Sequence, residues 1–162
     1  MVRKLNEMVK YIGVDDIDLD LFENQYYLPH GMAYNSYLIL DEKVALLDTT
    51  DSRTSGKWKD ALLEGLEGRV PDYLIIQHLE PDHSALIERF PNITLVGSAR
   101  VFSMLPQFFE DIELHSTLTV KDGDILDLGT HKLQFFTAPM VHWPEVIVSY
   151  DITDEALYSA DA

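Results

Sequence analysis

A chain of 162 residues, 46% of them hydrophobic, can bury one substantial core, so a single domain over residues 1–162 is expected. Its 12 basic and 28 acidic residues leave a net charge of −16, which disfavours nucleic acid and anionic membrane surfaces and leaves small molecules, metal cations and other proteins as partners. There is no cysteine, so disulfides, thiolate metal sites and a cysteine nucleophile are excluded, and any metal must be held by histidine and carboxylate.

The N-terminal "MVRKLNEMVKYIG" has early basic residues but no long apolar core behind them, and no stretch reaches the ~18 apolar residues of a membrane span. A cytoplasmic protein without a membrane partner is therefore expected. The acidic stretch "VDDIDLDLFEN" reads as surface. The apolar and aromatic runs "QYYLPHGMAYNSYLIL" and "KVALLDTT", parted at Asp41 and Glu42, predict the strands of an opening sheet. Over Ser55–Leu66, Trp58, Ala61, Leu62 and Leu66 fall near one helical face and Gly68 stands where a cap belongs, which predicts a helix despite Gly56 and Gly65. "DYLIIQ", after Pro71, reads as a short strand covered on both faces and ending at His78.

A short helix over Ser84–Phe90, a strand "ITLVG" and a helix "SARVFSMLPQFF" interrupted near Pro106 complete an alternating middle region. From Glu113, "ELHSTLTVKDGDILDLGTHKLQFFTAP" predicts a surface-like meander of short strands, with turns at Asp122-Gly123 and Gly129-Thr130 and no function for His115 or His131. Two more strands, "EVIVSY" and "ALYSA", follow. There is no internal repeat, low-complexity segment or internal linker.

The chemistry concentrates in "QHLEPDHSAL", where two histidines and two carboxylates fall within six residues at the end of a strand. Two like charges about 4 Å apart cost roughly 4 kcal/mol at an effective dielectric of 20, so such crowding calls for a cation. On an extended segment His78 and Glu80 face one point, and Asp82 and His83 can approach it from the turn into the next helix. That geometry allows two adjacent metals at the carboxyl end of a strand, where α/β folds gather their sites. The plainer alternative is a solvated turn or helix cap. Two more polar residues lie just past apolar strands: His142 in "APMVHWPEV" and Asp161 in "YSADA".

This order and spacing resemble the metallo-β-lactamase superfamily. With a glutamate where hydrolases carry a second histidine, and with "LPHGMAYNSYLI", "QHLEPDHSA", "HWPE" and "YSADA" in order, the chain resembles the flavodiiron proteins, or A-type flavoproteins, over essentially its whole length. The resemblance implies an α+β fold, the αββα sandwich, of which the chain would cover the first half and the start of the second. It also implies two irons, with His78, Glu80 and His142 on one, Asp82 and His83 on the other, and Asp161 bridging. His30, in "LPHG", reads first as a core or turn histidine and alternatively as a residue near the irons, and Trp143 as one that packs beside the site.

The function so implied is reduction of O2 to water or of NO to N2O. Electrons would come from FMN on a flavodoxin-like domain of a head-to-tail dimer, supplied by a partner such as rubredoxin or a flavin reductase. That domain and a last histidine ligand have no counterpart here, so the chain is expected to be the N-terminal part of a longer polypeptide, completed by its remainder or by another chain. The alternatives are a diiron oxygen sensor without flavodoxin, a dinuclear zinc thioesterase or lactonase, and a structural domain with an empty site.

Overall fold

Alternation along four central strands divides the apolar side chains between two cores. The computed structural model describes residues 2–22, 25–110 and 112–162. In chain order the strands are β1 (Arg3–Lys4), β2 (Val9–Tyr11), β3 (Val14–Asp16), β4 (Leu21–Phe22), β5 (Tyr26–Tyr27), β6 (Met32–Tyr34), β7 (Tyr37–Leu40) and β8 (Val44–Leu47). They continue as β9 (Tyr73–Ile75), β10 (Thr94–Ser98), β11 (Ser116–Val120), β12 (Ile125–Asp127), β13 (Lys132–Thr137), β14 (Ile147–Asp151) and β15 (Ala156–Tyr158). The helices are α1 (Ser55–Leu66), α2 (Pro81–Ser84) and α3 (Ala99–Met104).

A seven-stranded mixed sheet runs β1-β2-β7-β8-β9-β10-β11, and a four-stranded antiparallel sheet runs β12-β13-β14-β15. Leu38, Val44, Leu46, Leu74 and Leu95 face the helices, packing with Trp58, Leu62, Leu86 and Val101. Their neighbours Ile39, Ala45, Leu47, Ile75 and Val96 face the second sheet, packing with Leu133, Phe135 and Ile147. A strand covered on both faces needs an unbroken apolar run, which is why "VALL" and "YLII" do not alternate with polar residues. The layers are helix, sheet and sheet. Ile125, Phe136 and Leu157 are exposed on the outer face of the second sheet, which no helix covers among the described residues. This is the α+β arrangement predicted for the first half and start of the second half of an αββα sandwich.

Helix α1 has the predicted bounds. It ends with Glu67 and Gly68 both at positive φ, 52° and 84°. Gly65 is required by contact: a Cβ there would lie 2.8 Å from the Leu38 side chain.

Four expectations change. The helix predicted over Ser84–Phe90 starts earlier, because Pro81 is preset for a first helical position; α2 is one turn, and a separate 3-10 turn covers Ile87–Arg89. The stretch from Glu113 is not one meander, since β11 pairs parallel with β10 through the α3 crossover and only β12 onward forms the second sheet. The acidic stretch is not wholly surface. Val14, Asp16 and Leu19 are buried, β3 pairs with β6, and Arg53 lies 3.5 Å from Asp16; Glu23 and Asn24, its last residues, lie outside the described residues. His131 is buried as well: its Nδ1 sits 2.6 Å from Asp151 and its backbone N–H donates to Asp41 at 2.5 Å, tying two turns together. His115 is exposed, as predicted.

Helix α1 provides a direct test of the layering, because Trp58 is buried and Leu63 is 59% exposed. Trp58→Ala should destabilise by about 3–5 kcal/mol through the cavity it leaves, and Leu63→Ala by no more than about 0.5 kcal/mol, as read by urea unfolding.

Candidate metal centre

The six predicted ligand residues come together where the ends of the two sheets meet. Glu80 precedes a proline, which holds it extended at φ −56° and ψ 142°, so the chain leaves β9 straight and turns into helix only at Pro81. The turn is pinned from within by Ser84 Oγ donating to the Leu79 carbonyl at 2.7 Å. It is pinned from outside by Thr49, whose N–H and Oγ1 donate to the His83 carbonyl at 2.6 and 2.8 Å. The Ile147 N–H donates to the Gln77 carbonyl at 3.0 Å and so fastens the second sheet to the same loop.

His78 Nε2 lies 3.0 Å from Glu80 Oε2, and His142 Nε2 lies 3.2 Å from the same oxygen and 3.9 Å from Asp161 Oδ2. On the other side His83 Nε2 lies 2.9 Å from Asp161 Oδ1 and 3.9 Å from Asp82 Oδ2. Of three groups among the described residues whose candidate ligand atoms lie within 4.8 Å of one another, two are here: His78, Glu80, His142 and Asp161, and Asp82, His83 and Asp161; the third, His131, Asp151 and Asp154, contains none of these residues. Asp161 is common to the first two. His78, Glu80, Asp82 and His83 are buried, while His142 is exposed and Asp161 lies at the rim.

Trp143 is half-buried and meets the His78 ring edge-on, with centroids 5.1 Å apart. His30 does not join the cluster. It is exposed in the turn that leads into β6, and the β6 residue that reaches the cavity beside Glu80 and Asp82 is Tyr34, at the strand's far end.

Two carboxylates missed in the sequence stand behind the histidines. Glu145 Oε1 lies 2.8 Å from His78 Nδ1, and Asp48 Oδ2 lies 3.3 Å from His83 Nδ1. Asp48 closes β8 at φ 53°, a left-handed conformation that aspartate tolerates better than most residues, and its Oδ1 accepts the Gln77 N–H at 2.8 Å. A polar residue just past an apolar strand marks Asp48 in "LLDTT", the same signal that marks Asp161. Glu145 lies inside the quoted "HWPE".

The electrostatics are those of a site built around positive charge. Burial alone would lower His78, but hydrogen bonds to Glu145 and Glu80 outweigh it and push the ring up to about 9. Burial likewise opposes protonation of His83, yet Asp161 and Asp48 push it up to about 11. Burial raises Asp82 to about 6, with Glu80 and Asp161 reinforcing it against His83. Asp82 Oδ1 is buried without a hydrogen-bond partner among the described residues. The carboxylates that raise the two rings would equally favour a cation placed between them and the Nε2 atoms. A mixed set of imidazole and carboxylate donors around one shared carboxylate fits a pair of transition-metal ions.

Solved structures share this fold. The flavodiiron protein of Giardia intestinalis superposes with a TM-score of 0.90 at 26% identity, over 98% of this chain and 39% of that one. The rubredoxin oxygen:oxidoreductase of Desulfovibrio gigas does so with a TM-score of 0.89 at 27% identity, over 98% and 40%. The fold is therefore that of a metallo-β-lactamase-like domain. The family model described as "ODP family beta lactamase" matches residues 32–162, and the chain belongs to that family, as the metallo-β-lactamase-like domain of flavodiiron proteins.

Curated relatives include diflavin flavoprotein A 1 of Synechocystis sp., 38% identical over 151 residues, and the anaerobic nitric oxide reductase flavorubredoxin of Pectobacterium carotovorum, 34% identical over 160 residues. The matches cover 90% and 95% of this chain. It spans 26% and 32% of the relatives' own lengths.

The raised histidines set a pH dependence. Their folded values, about 9 and 11, lie above the ordinary 6.5, so the stability they contribute is complete below pH 6.5 and is lost as pH rises through 9 toward 11. Metal-free protein should therefore melt at lower temperature as pH rises from 6.5 to 9.5. The melting-temperature gain on adding a divalent metal should be larger at pH 8.5 than at pH 6, because fewer protons compete. Thermal-shift measurements across that range check both.

Proposed function

We propose that the cluster holds two irons, one on His78, Glu80 and His142 and one on Asp82 and His83, with Asp161 bridging, and that the protein carrying it reduces O2 to water or NO to N2O. The observation that carries this reading is the pair of interlocked groups sharing Asp161, with the Glu80 carboxylate, rather than another imidazole, between His78 and His142. A carboxylate there makes the donor set harder and more anionic, which suits iron better than zinc with its preference for nitrogen-rich coordination. When bound, the irons supply electrons and open coordination positions for the diatomic gas.

The chain's own groups position and shield. Pro81 and Thr49 hold the loop so that its four ligand residues converge, and Trp143 covers the edge of the His78 ring. A cavity of about 260 Å³ reaches Glu80 and Asp82, with Leu19, Leu21, Phe22 and Tyr34 on its apolar side and Asp51 and Arg53 also lining it.

The relatives' names support both gases, since one is a rubredoxin oxygen:oxidoreductase and another an anaerobic nitric oxide reductase flavorubredoxin. We place the immediate electron donor, FMN, on a flavodoxin-like domain, within the additional length that such relatives have. Head-to-tail pairing would bring that FMN near the partner's metals, and rubredoxin or a flavin reductase would reduce it in the cytoplasm. No described helix is long and apolar enough to cross a membrane.

Metal analysis of the native-length protein after anaerobic purification tests the reading, with two irons per chain and FMN expected. Zinc with esterase activity would point to a hydrolase instead, and two irons without turnover to an oxygen sensor. Glu80→Ala and His142→Ala should each remove or weaken one iron and abolish gas reduction. His115→Ala should do neither, and full iron with full turnover in Glu80→Ala would refute the ligand assignment.

A further inference from the structure

We propose that Glu145 is a positioning residue of the metal centre, which fixes the tautomer and orientation of His78 so that Nε2 is presented to the metal. The inference rests on the reading of His78 as a metal-binding group. Glu145 is 1% exposed, in the bend just before β14. Its Oε1 accepts from His78 Nδ1 at 2.8 Å and from the Leu79 N–H at 2.9 Å, so one oxygen holds both the ring and the backbone next to it. Its main-chain carbonyl accepts from Ser98 Oγ at 2.9 Å, and Ser98 in turn caps α3. The residue therefore joins the second sheet, the ligand loop and the helix layer at one point.

A buried carboxylate is costly unless it is fully paired, and Glu145 Oε2 is buried with no hydrogen-bond partner among the described residues. A side chain needed only to fill this space would be apolar. What a carboxylate does here and an apolar group cannot is accept the Nδ1–H, which leaves the Nε2 lone pair for a metal and makes the ring a stronger donor. Nε2 points accordingly, toward Glu80 Oε2 at 3.0 Å. Asp48 stands in the corresponding position behind His83, but more loosely, at 3.3 Å, and its oxygens are shared with Gln77. The two histidines of the loop thus have backing of unequal strength, with the tighter one at His78.

The test uses the native-length protein, with Glu145→Gln as the near-isosteric variant and Glu145→Ala as the truncation. Cobalt(II) serves as the probe, titrated against a competing chelator and read in its visible spectrum. Selectively labelled [15N]histidine reports the tautomer of His78 in the zinc-loaded form. Glu145→Gln should weaken one of the two cobalt sites by about ten- to hundred-fold and leave the other unchanged, and Glu145→Ala should weaken the same site more. The wild-type His78 ring should carry its proton on Nδ1, and the Gln variant should show a mixture.

Equal cobalt affinity and an unchanged tautomer in Glu145→Gln would overturn the proposal. So would a wild-type ring protonated on Nε2, a measurement that stands even where a variant does not fold. A wild-type protein that binds no metal would instead overturn the diiron reading, so the two failures are separable.

Discussion

The structure depends on gathering negative charge at one point and keeping it there. Glu80, Asp82 and Asp161 face one another across a few ångströms, and Asp48 and Glu145 stand behind them, in a region that is mostly buried. Uncompensated, such a cluster would neutralise itself or push the loop apart. Among these residues His78 and His83 are held toward the charged form by the carboxylates around them. The raised His78 and His83 show how strongly the site favours a cation, since it drives protons onto nitrogens that burial would otherwise strip.

That charge is held by the packing of two cores rather than by the loop itself. Strands β8 and β9 are buried on both faces, so their ends cannot shift without disturbing the helix layer and the second sheet together. The Thr49 bonds to His83, the Asp48 bond to Gln77 and the Ile147 bond to Gln77 carry that rigidity into the ligand loop. His142 and Asp161 arrive from the second sheet. The site is therefore as stiff as the contact between the sheets, which is the condition for metal ligands to stay within bonding range.

Much of this was legible in the residues. The bounds of α1 follow from the spacing of Trp58, Ala61, Leu62 and Leu66, and "DYLII" and "VALL" read as doubly covered strands because no polar residue interrupts them. Local rules failed where a partner distant in sequence decides. The residues of β11 carry no mark of which sheet they join, because parallel pairing with β10 is set by the α3 crossover. His131 reads as part of a surface-like meander until Asp41 and Asp151 close over it, and His30, read as a core or turn histidine with a place near the site as the alternative, lies exposed in a turn.

By itself the sequence determined the inventory of imidazole and carboxylate groups and the loop that carries most of them, because residue type and short spacing set donor chemistry directly. The resemblance implied that His78, His83 and His142 converge and that Asp161 is shared; the tertiary structure brings those groups together, and it alone decided that Glu145 and Asp48 back the rings. The reason is physical: donor chemistry is a property of a side chain, whereas convergence within a few ångströms depends on the register and stacking of strands that lie far apart in the chain.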